Sequence, residues 1–193
     1  MMVYFTNKDK SRLVHNNYNL CFLIYFTKNA AEIKQGETMK IKILSLGERP
    51  PKWVVEGYDE YKKRLSKSIP LELIELPIAK RTKTGNPKLW MEQEAKTILS
   101  KFSHNDYLVI LDVASKVIST EDLAEKMRCW KQNSPNVVIL IGGPDGIDKS
   151  IKNIAKEKIS ISKMTFPHPI VRIIIAEQLY RAYTILENHP YHK

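Results

Sequence analysis

The sequence predicts an α/β fold with a parallel sheet, and three observations carry that expectation. Apolar runs of strand length alternate with helix-period segments five times, the signature of repeated βα units. The run Val137 to Ile141 is apolar at every position, as a central strand buried on both faces must be. It ends in Gly142-Gly143-Pro144-Asp145-Gly146, and ligands of open α/β sheets bind outside the carboxyl ends of the strands.

The elements follow in order. Met39 opens a first strand, Ile41–Leu46, and Lys52–Ser66 has helical spacing. A second strand, Leu71–Leu76, leads into Ala79–Asn86, where Lys80, Arg81 and Lys83 suggest a mobile basic loop. Pro87 suits a first helical turn, so a helix is expected over Pro87–Phe102. Tyr107–Val113 is the third strand. Ser119-Thr120-Glu121-Asp122 supplies an N-cap and an acidic first turn for a helix over Thr120–Gln132. Val137–Ile141 is the fourth strand and Asp148–Glu157 a helix. Ile159–Met164 is the expected fifth strand, and Ile170–Glu187 the last helix. That helix carries an apolar stripe at Val171, Ile174, Ile175, Leu179, Ala182, Tyr183 and Leu186, the three-and-four spacing of a face that packs on a core or a second subunit.

Residues 1–38 read differently. They hold one apolar run, Leu20 to Phe26, far short of the ~20 residues that span a bilayer. Lys8, Lys10 and Arg12 precede that run, but no small-residue cleavage site follows it closely, so a secretory signal is not the expectation. Met39 is expected to be the natural start, with 1–38 a poorly ordered upstream extension and 39–193 one domain. Residues 39–193 keep a net charge of +8, from 26 basic and 18 acidic residues, against +10 for the whole chain. The basic balance therefore belongs to the domain and suits a polyanion such as nucleic acid. Two cysteines, Cys21 and Cys129, make no disulfide framework, which fits a reducing, cytoplasmic setting.

Two loops stand out. In the glycine loop, backbone can approach a ligand without Cβ interference; the plain alternative is a tight turn. It is no phosphate-binding P-loop, because Ile147 and Asp148 separate Gly146 from Lys149-Ser150. Nor is it a dinucleotide fingerprint, which belongs after the first strand of a βαβ unit. The second loop, Met164-Thr165-Phe166-Pro167-His168-Pro169, presents a histidine between two prolines. Glu177 and Arg181, four apart, read first as a surface ion pair. His168, His189 and His192 could suggest a metal, but no supporting carboxylates are in view for the three, so no metal is expected.

Gly142-Gly143-Pro144-Asp145-Gly146, Ser162-Lys163-Met164-Thr165-Phe166-Pro167-His168, Glu177-Gln178-Leu179-Tyr180-Arg181-Ala182 and the terminal His189-Pro190-Tyr191-His192-Lys193 together resemble the ribosomal RNA large subunit methyltransferase H family, of the SPOUT class. The resemblance covers Met39 to Lys193, and includes Met39-Lys40-Ile41 and Leu76-Pro77. It implies a parallel sheet whose C-terminal part is threaded into a deep trefoil knot, a rare exception among folds. It implies a homodimer that transfers a methyl group from S-adenosylmethionine to N3 of a pseudouridine in a 23S rRNA stem-loop of the assembled ribosome. The implied cofactor site is Leu111, Gly142, Ile161, Ser162, Lys163, Met164, Thr165 and Phe166. Residues 1–38 depart from the family pattern.

Methyl transfer from a sulfonium requires alignment of N3 with the methyl and removal of the N3 proton. His168, Arg172, Tyr191 and His192 are the candidate catalytic residues that bind and orient the base; which group takes the proton stays open. Lys80, Arg81, Lys83 and Lys163 are candidate phosphate contacts, since RNA recognition combines phosphate contacts with stacking on unpaired bases. The tail, turned by Asn188 and Pro190, is expected to project back toward the strand-end loops. The competing reading is a non-catalytic ribosome-binding or assembly factor of the same fold; a different small-molecule α/β enzyme has no motif in its favour.

Overall fold

Five strands alternate with five helices: β1 (Lys40–Leu46), α1 (Lys52–Leu65), β2 (Leu71–Leu76), α2 (Pro87–Leu99), β3 (Tyr107–Leu111), α3 (Thr120–Asn133), β4 (Asn136–Ile141), α4 (Lys149–Ile154), β5 (Glu157–Ile159) and α5 (His168–Leu186), followed by a 3-10 turn, Pro190–His192. This computed structural model describes residues 38–47, 49–134 and 136–192, with His192 described by its backbone alone. The expectations for residues 1–37, for the His192 side chain and for Lys193 lie outside the described residues.

The strands form one sheet in the order β2-β1-β4-β3-β5, and every pairing is parallel. β4 lies in the middle, between β1 and β3, and Val137 to Ile141 are all buried. Helices cover both faces. On one, Tyr58 and Leu65 of α1, Met127 and Trp130 of α3, and Ile175 and Leu179 of α5 pack on Ile41, Ile43 and Ile139. On the other, Ala95 and Ile98 of α2 and Ile151 of α4 pack on Leu44, Ile110 and Leu140. Fully burying each such aliphatic side chain stabilises by about 1.5–3 kcal/mol.

The end of α3 shows local chemistry setting a boundary. Ser119 Oγ accepts from Asp122 N, and Asp122 Oδ2 accepts from Ser119 N, each at 3.1 Å, a reciprocal capping box. Pro87 sits in the first turn of α2 as expected, with Asn86 capping it by accepting from Lys88 N at 2.9 Å.

Three expectations are corrected. The fifth strand is Glu157–Ile159, not Ile159–Met164. Its charged start is stabilised from outside the segment: Glu157 accepts from Tyr107 Oη, Trp130 Nε1 and Lys126 Nζ at 2.8, 3.1 and 2.6 Å. The apolar residues after it serve a loop. His168 is not in a loop either; it is the first residue of α5, after Pro167 at the N-cap and before Pro169, since the first turn needs no amide donors. The 79–86 segment is tied down. Arg81 pairs with Glu94 at 3.0 Å and Asp145 at 2.7 Å, and Glu94 Oε1 also accepts from Ala79 N at 3.0 Å.

Beyond β5 the chain runs alongside the loop that follows β3. Ser160 N donates to Lys116 O at 2.9 Å and Ile118 N to Ser160 O at 3.1 Å. Those two bonds hold the 112–119 and 160–166 loops together at the carboxyl end of the sheet.

Candidate functional site

The loops after β3, β4 and β5 and the start of α5 enclose a cavity of about 240 Å³. Its walls include Leu111, Gly142, Ile161, Ser162, Met164, Thr165 and Phe166. Seven of the eight residues expected to hold a cofactor are thus brought together from three separate loops. Lys163 is the exception: its side chain is exposed and does not line the cavity. Ser162 helps shape the loop itself, with Oγ accepting from Met164 N at 2.9 Å and its carbonyl from Ser160 Oγ at 2.7 Å.

The glycine loop forms one rim. Gly146 has φ +96°, the left-handed region where a side chain is strained, and a Cβ there would meet nothing within 4 Å. Backbone is therefore open to the cavity at this point. Gly142 has a different reason to be glycine: a Cβ would come within 2.5 Å of Ile147 Cγ1. Space for a ligand is not what excludes a side chain at Gly142; the neighbouring core residue is. Behind Gly143 stands Glu94, whose Oε2 would lie 3.0 Å from an added Cβ. That oxygen is buried with no hydrogen-bond partner among the described residues.

His168 lines the same cavity, at its α5 edge. Burial holds its imidazole below the usual histidine range, and the nearby charges of Arg172 and Arg81 push the same way. At neutral pH the ring is uncharged, so one nitrogen has a free lone pair.

Arg172 is one turn further along α5 and is only 1% exposed. Nε donates to Ser45 Oγ at 2.9 Å and Nη1 to Glu75 Oε1 at 2.6 Å. It ties α5 to the ends of β1 and β2, and does not line the cavity. Its effect on the site runs through the charge it places beside His168.

Tyr191 is elsewhere. It packs on α5 at Glu177, Tyr180 and Arg181, about 14–20 Å from His168 at 1.5 Å per residue. Tyr191 folds back onto the second half of its own helix: its ring lies 4.7 Å from that of Tyr180 and 4.8 Å from the Arg181 guanidinium. Its hydroxyl is 3.4 Å from Glu177 Oε1. Burial, then Tyr61 and Glu177, push this phenol up to about 12. Within one chain the tail does not project back to the strand-end loops, contrary to the expectation from sequence. The Glu177–Arg181 pair, at 2.7 Å, underlies this aromatic cluster rather than standing free on the surface.

Two charged residues of the cavity wall escaped the sequence reading. Asp112, first after β3, accepts from Lys152 Nζ of α4 at 2.7 Å, and both line the cavity. The signal was available: an acid at the carboxyl end of a buried strand is where ligand-binding residues of α/β sheets cluster.

A planar, largely apolar ligand with a polar end fits this chamber. Leu111, Ile141, Ile147, Ile161, Phe166 and Val171 give it apolar walls, and the glycine rim and the Asp112–Lys152 pair give it polar groups. An adenosyl cofactor has that division. Beside the cavity, Gly47, Arg49 and the 77–81 segment line a more open depression of about 610 Å³, with Arg49 and Lys80 exposed. Among the described residues there is no cluster of three or more His, Cys, Asp or Glu that would hold a metal. No helix among them is long and apolar enough to cross a membrane.

Comparison with known proteins adds to this geometry. Residues 39–192 match the family described as "Predicted SPOUT methyltransferase". The chain is 88% identical over 155 residues to a protein of Francisella philomiragia subsp. philomiragia, covering 80% of this chain and 100% of that one. It is 85% identical over the same length to a protein of Francisella tularensis subsp. novicida, with the same coverage. A protein of Saccharophagus degradans is 48% identical over 155 residues, again 80% and 100%. Each of the three is named "Ribosomal RNA large subunit methyltransferase H".

Proposed function

This chain belongs to the SPOUT methyltransferase family, and we propose that it transfers a methyl group from S-adenosylmethionine to N3 of a pseudouridine in the large-subunit rRNA of the assembled ribosome. The observation that carries the reading is the meeting of Leu111, Gly142 and the 161–166 loop around one cavity, with His168 on its wall. The names of the relatives support rRNA as the substrate. The same reading takes 39–193 as the catalytic domain, 1–38 as an extension before it, and the cytoplasm as the place of action. It takes the passage from β5 along the 112–119 loop to α5 as the threading of the knot.

When bound, S-adenosylmethionine would supply both the electrophilic methyl and its leaving group. The chain supplies the rest. The 161–166 loop and the glycine rim hold the ligand against apolar walls and exclude water. His168 receives the N3 proton on an imidazole nitrogen, which burial, Arg172 and Arg81 keep unprotonated. Ser45 and Glu75 keep Arg172 in place, so that charge is fixed before substrate arrives. As N3 loses its proton, the positive end of α5 favours the anion.

The substrate RNA lies along the open depression lined by Arg49 and Lys80. Lys80, Lys83 and Lys163, all exposed, are its phosphate contacts; Arg81 is not one of them, being held by Glu94 and Asp145. The tail completes the site from a second copy of the chain, because Tyr191 sits on Glu177, Tyr180 and Arg181, about 14–20 Å along α5 from His168. A homodimer is thus part of the proposal, with Tyr191 and His192 offered across the interface to the base.

Mass spectrometry of rRNA from cells lacking this protein tests the reading. Loss of one methyl from a large-subunit pseudouridine is the expected result. An unchanged methylation profile would favour the non-catalytic ribosome-binding alternative.

A further inference from the structure

Of the residues that line the cavity, Asp112 and Lys152 form the oppositely charged pair. Their side chains are 16% and 34% exposed, so both are partly withdrawn from water. Asp112 is firmly placed: Oδ1 accepts from Ala114 N at 3.0 Å, and Oδ2 accepts from Lys152 Nζ at 2.7 Å. Lys152 holds the Asp112 carboxyl below the usual carboxylate range, so it is ionised at neutral pH. The bland role is a brace between the end of β3 and α4. A brace alone does not need to line a ligand chamber whose other walls are mainly apolar.

We propose that Asp112 and Lys152 are the subsite for the amino-acid end of an S-adenosyl ligand, with Lys152 taking the α-carboxylate and Asp112 the α-ammonium. The inference rests on the reading of this cavity as the cofactor site. A zwitterion laid against an ion pair makes a ring of four alternating charges with no net charge. Each protein group keeps an opposite partner throughout, so no buried charge is stranded. The apolar walls are then left for the adenosine end.

Calorimetric binding of three ligands tests this without turnover. S-adenosylhomocysteine carries the whole amino-acid end; 5′-methylthioadenosine lacks it; decarboxylated S-adenosylmethionine keeps the ammonium and lacks the carboxylate. Wild type should prefer S-adenosylhomocysteine to methylthioadenosine by about 10-fold to 100-fold, the scale of hydrogen bonds to charged groups. Lys152→Met should remove most of that preference while leaving methylthioadenosine and the decarboxylated ligand unchanged. Asp112→Asn, which can still accept from Ala114 N, should weaken both ammonium-bearing ligands. Equal affinity of wild type for S-adenosylhomocysteine and methylthioadenosine overturns the subsite while the cofactor reading stands, and this arm needs no variant. Variants that keep the preference, or that lose all three ligands equally, overturn it as well. Wild type that binds none of the three overturns the cofactor reading and the subsite together.

Discussion

His168 is the residue on which the proposed chemistry turns, and its charge state makes a pH prediction. Its folded-state pKa lies below the usual value of about 6.5. The unfolded chain therefore takes up this proton first as the pH falls. His168 costs no stability above that range and withdraws it as the pH drops through and below about 6.5. Methyl transfer should hold its rate at neutral pH and fall on an acid limb set by this ring. Single-turnover rates of His168→Asn should be lower by about 10²–10⁴-fold, the range for a positioned base, and should have lost that limb. A variant that keeps the limb would assign the proton to another group.

Gly142 offers a second test at the same scale. An added methyl meets Ile147 Cγ1, a contact worth about 1–3 kcal/mol of overpacking. Gly142→Ala should lower both thermal stability and cofactor affinity, and Ile147→Val in the same chain should restore part of each. Weaker binding with unchanged stability would mean that the ligand, not Ile147, occupies the space. The Arg172 tie to Ser45 and Glu75 is not visible from the sequence because it joins distant segments, and the Ile147 contact is not because it depends on how the loop folds back on itself. The glycine loop was legible; the reason for its first glycine was not.

At the scale of elements, the apolar runs located the sheet and Ser119 marked the start of α3. β5 was misplaced because its first residues, Glu157 and Lys158, are charged, and the partners that shelter Glu157 come from β3 and α3. Ile161, apolar like a strand residue, instead lines the cavity. The helix α2 likewise does work that its sequence hides. Its Glu94, 2% exposed, holds Ala79 N and Arg81 and backs Gly143. Glu94→Ala should destabilise the protein by about 3 kcal/mol, the low end for breaking a buried pair, because Asp145 still holds Arg81. Denaturant unfolding reads that loss, and faster proteolysis within 79–86 should accompany it. Unchanged stability would mean that Asp145 alone secures the loop.

For the whole molecule, α5 sets the geometry. Its first residue, His168, lines the cavity, while its second half carries the tail on Tyr180 and Arg181. The sequence showed both groups but not the length of rigid helix between them. Co-expressing a His168→Asn chain with a chain lacking Tyr191–Lys193 tests completion across a dimer. Each homodimer should be inactive, while the mixture should recover about a quarter of wild-type activity, from one intact site in half of the dimers. No recovery in mixed dimers shown to form would place the tail's role within its own chain.

Transfer of labelled methyl from S-adenosylmethionine to ribosomes purified from cells lacking this protein is the most direct test of the proposed activity. The expected result is close to one methyl per ribosome, all of it in large-subunit rRNA at N3 of a pseudouridine, arriving about 10²–10⁴-fold more slowly when His168 is replaced. Absence of transfer from protein that binds the cofactor, or label in small-subunit rRNA, would contradict it.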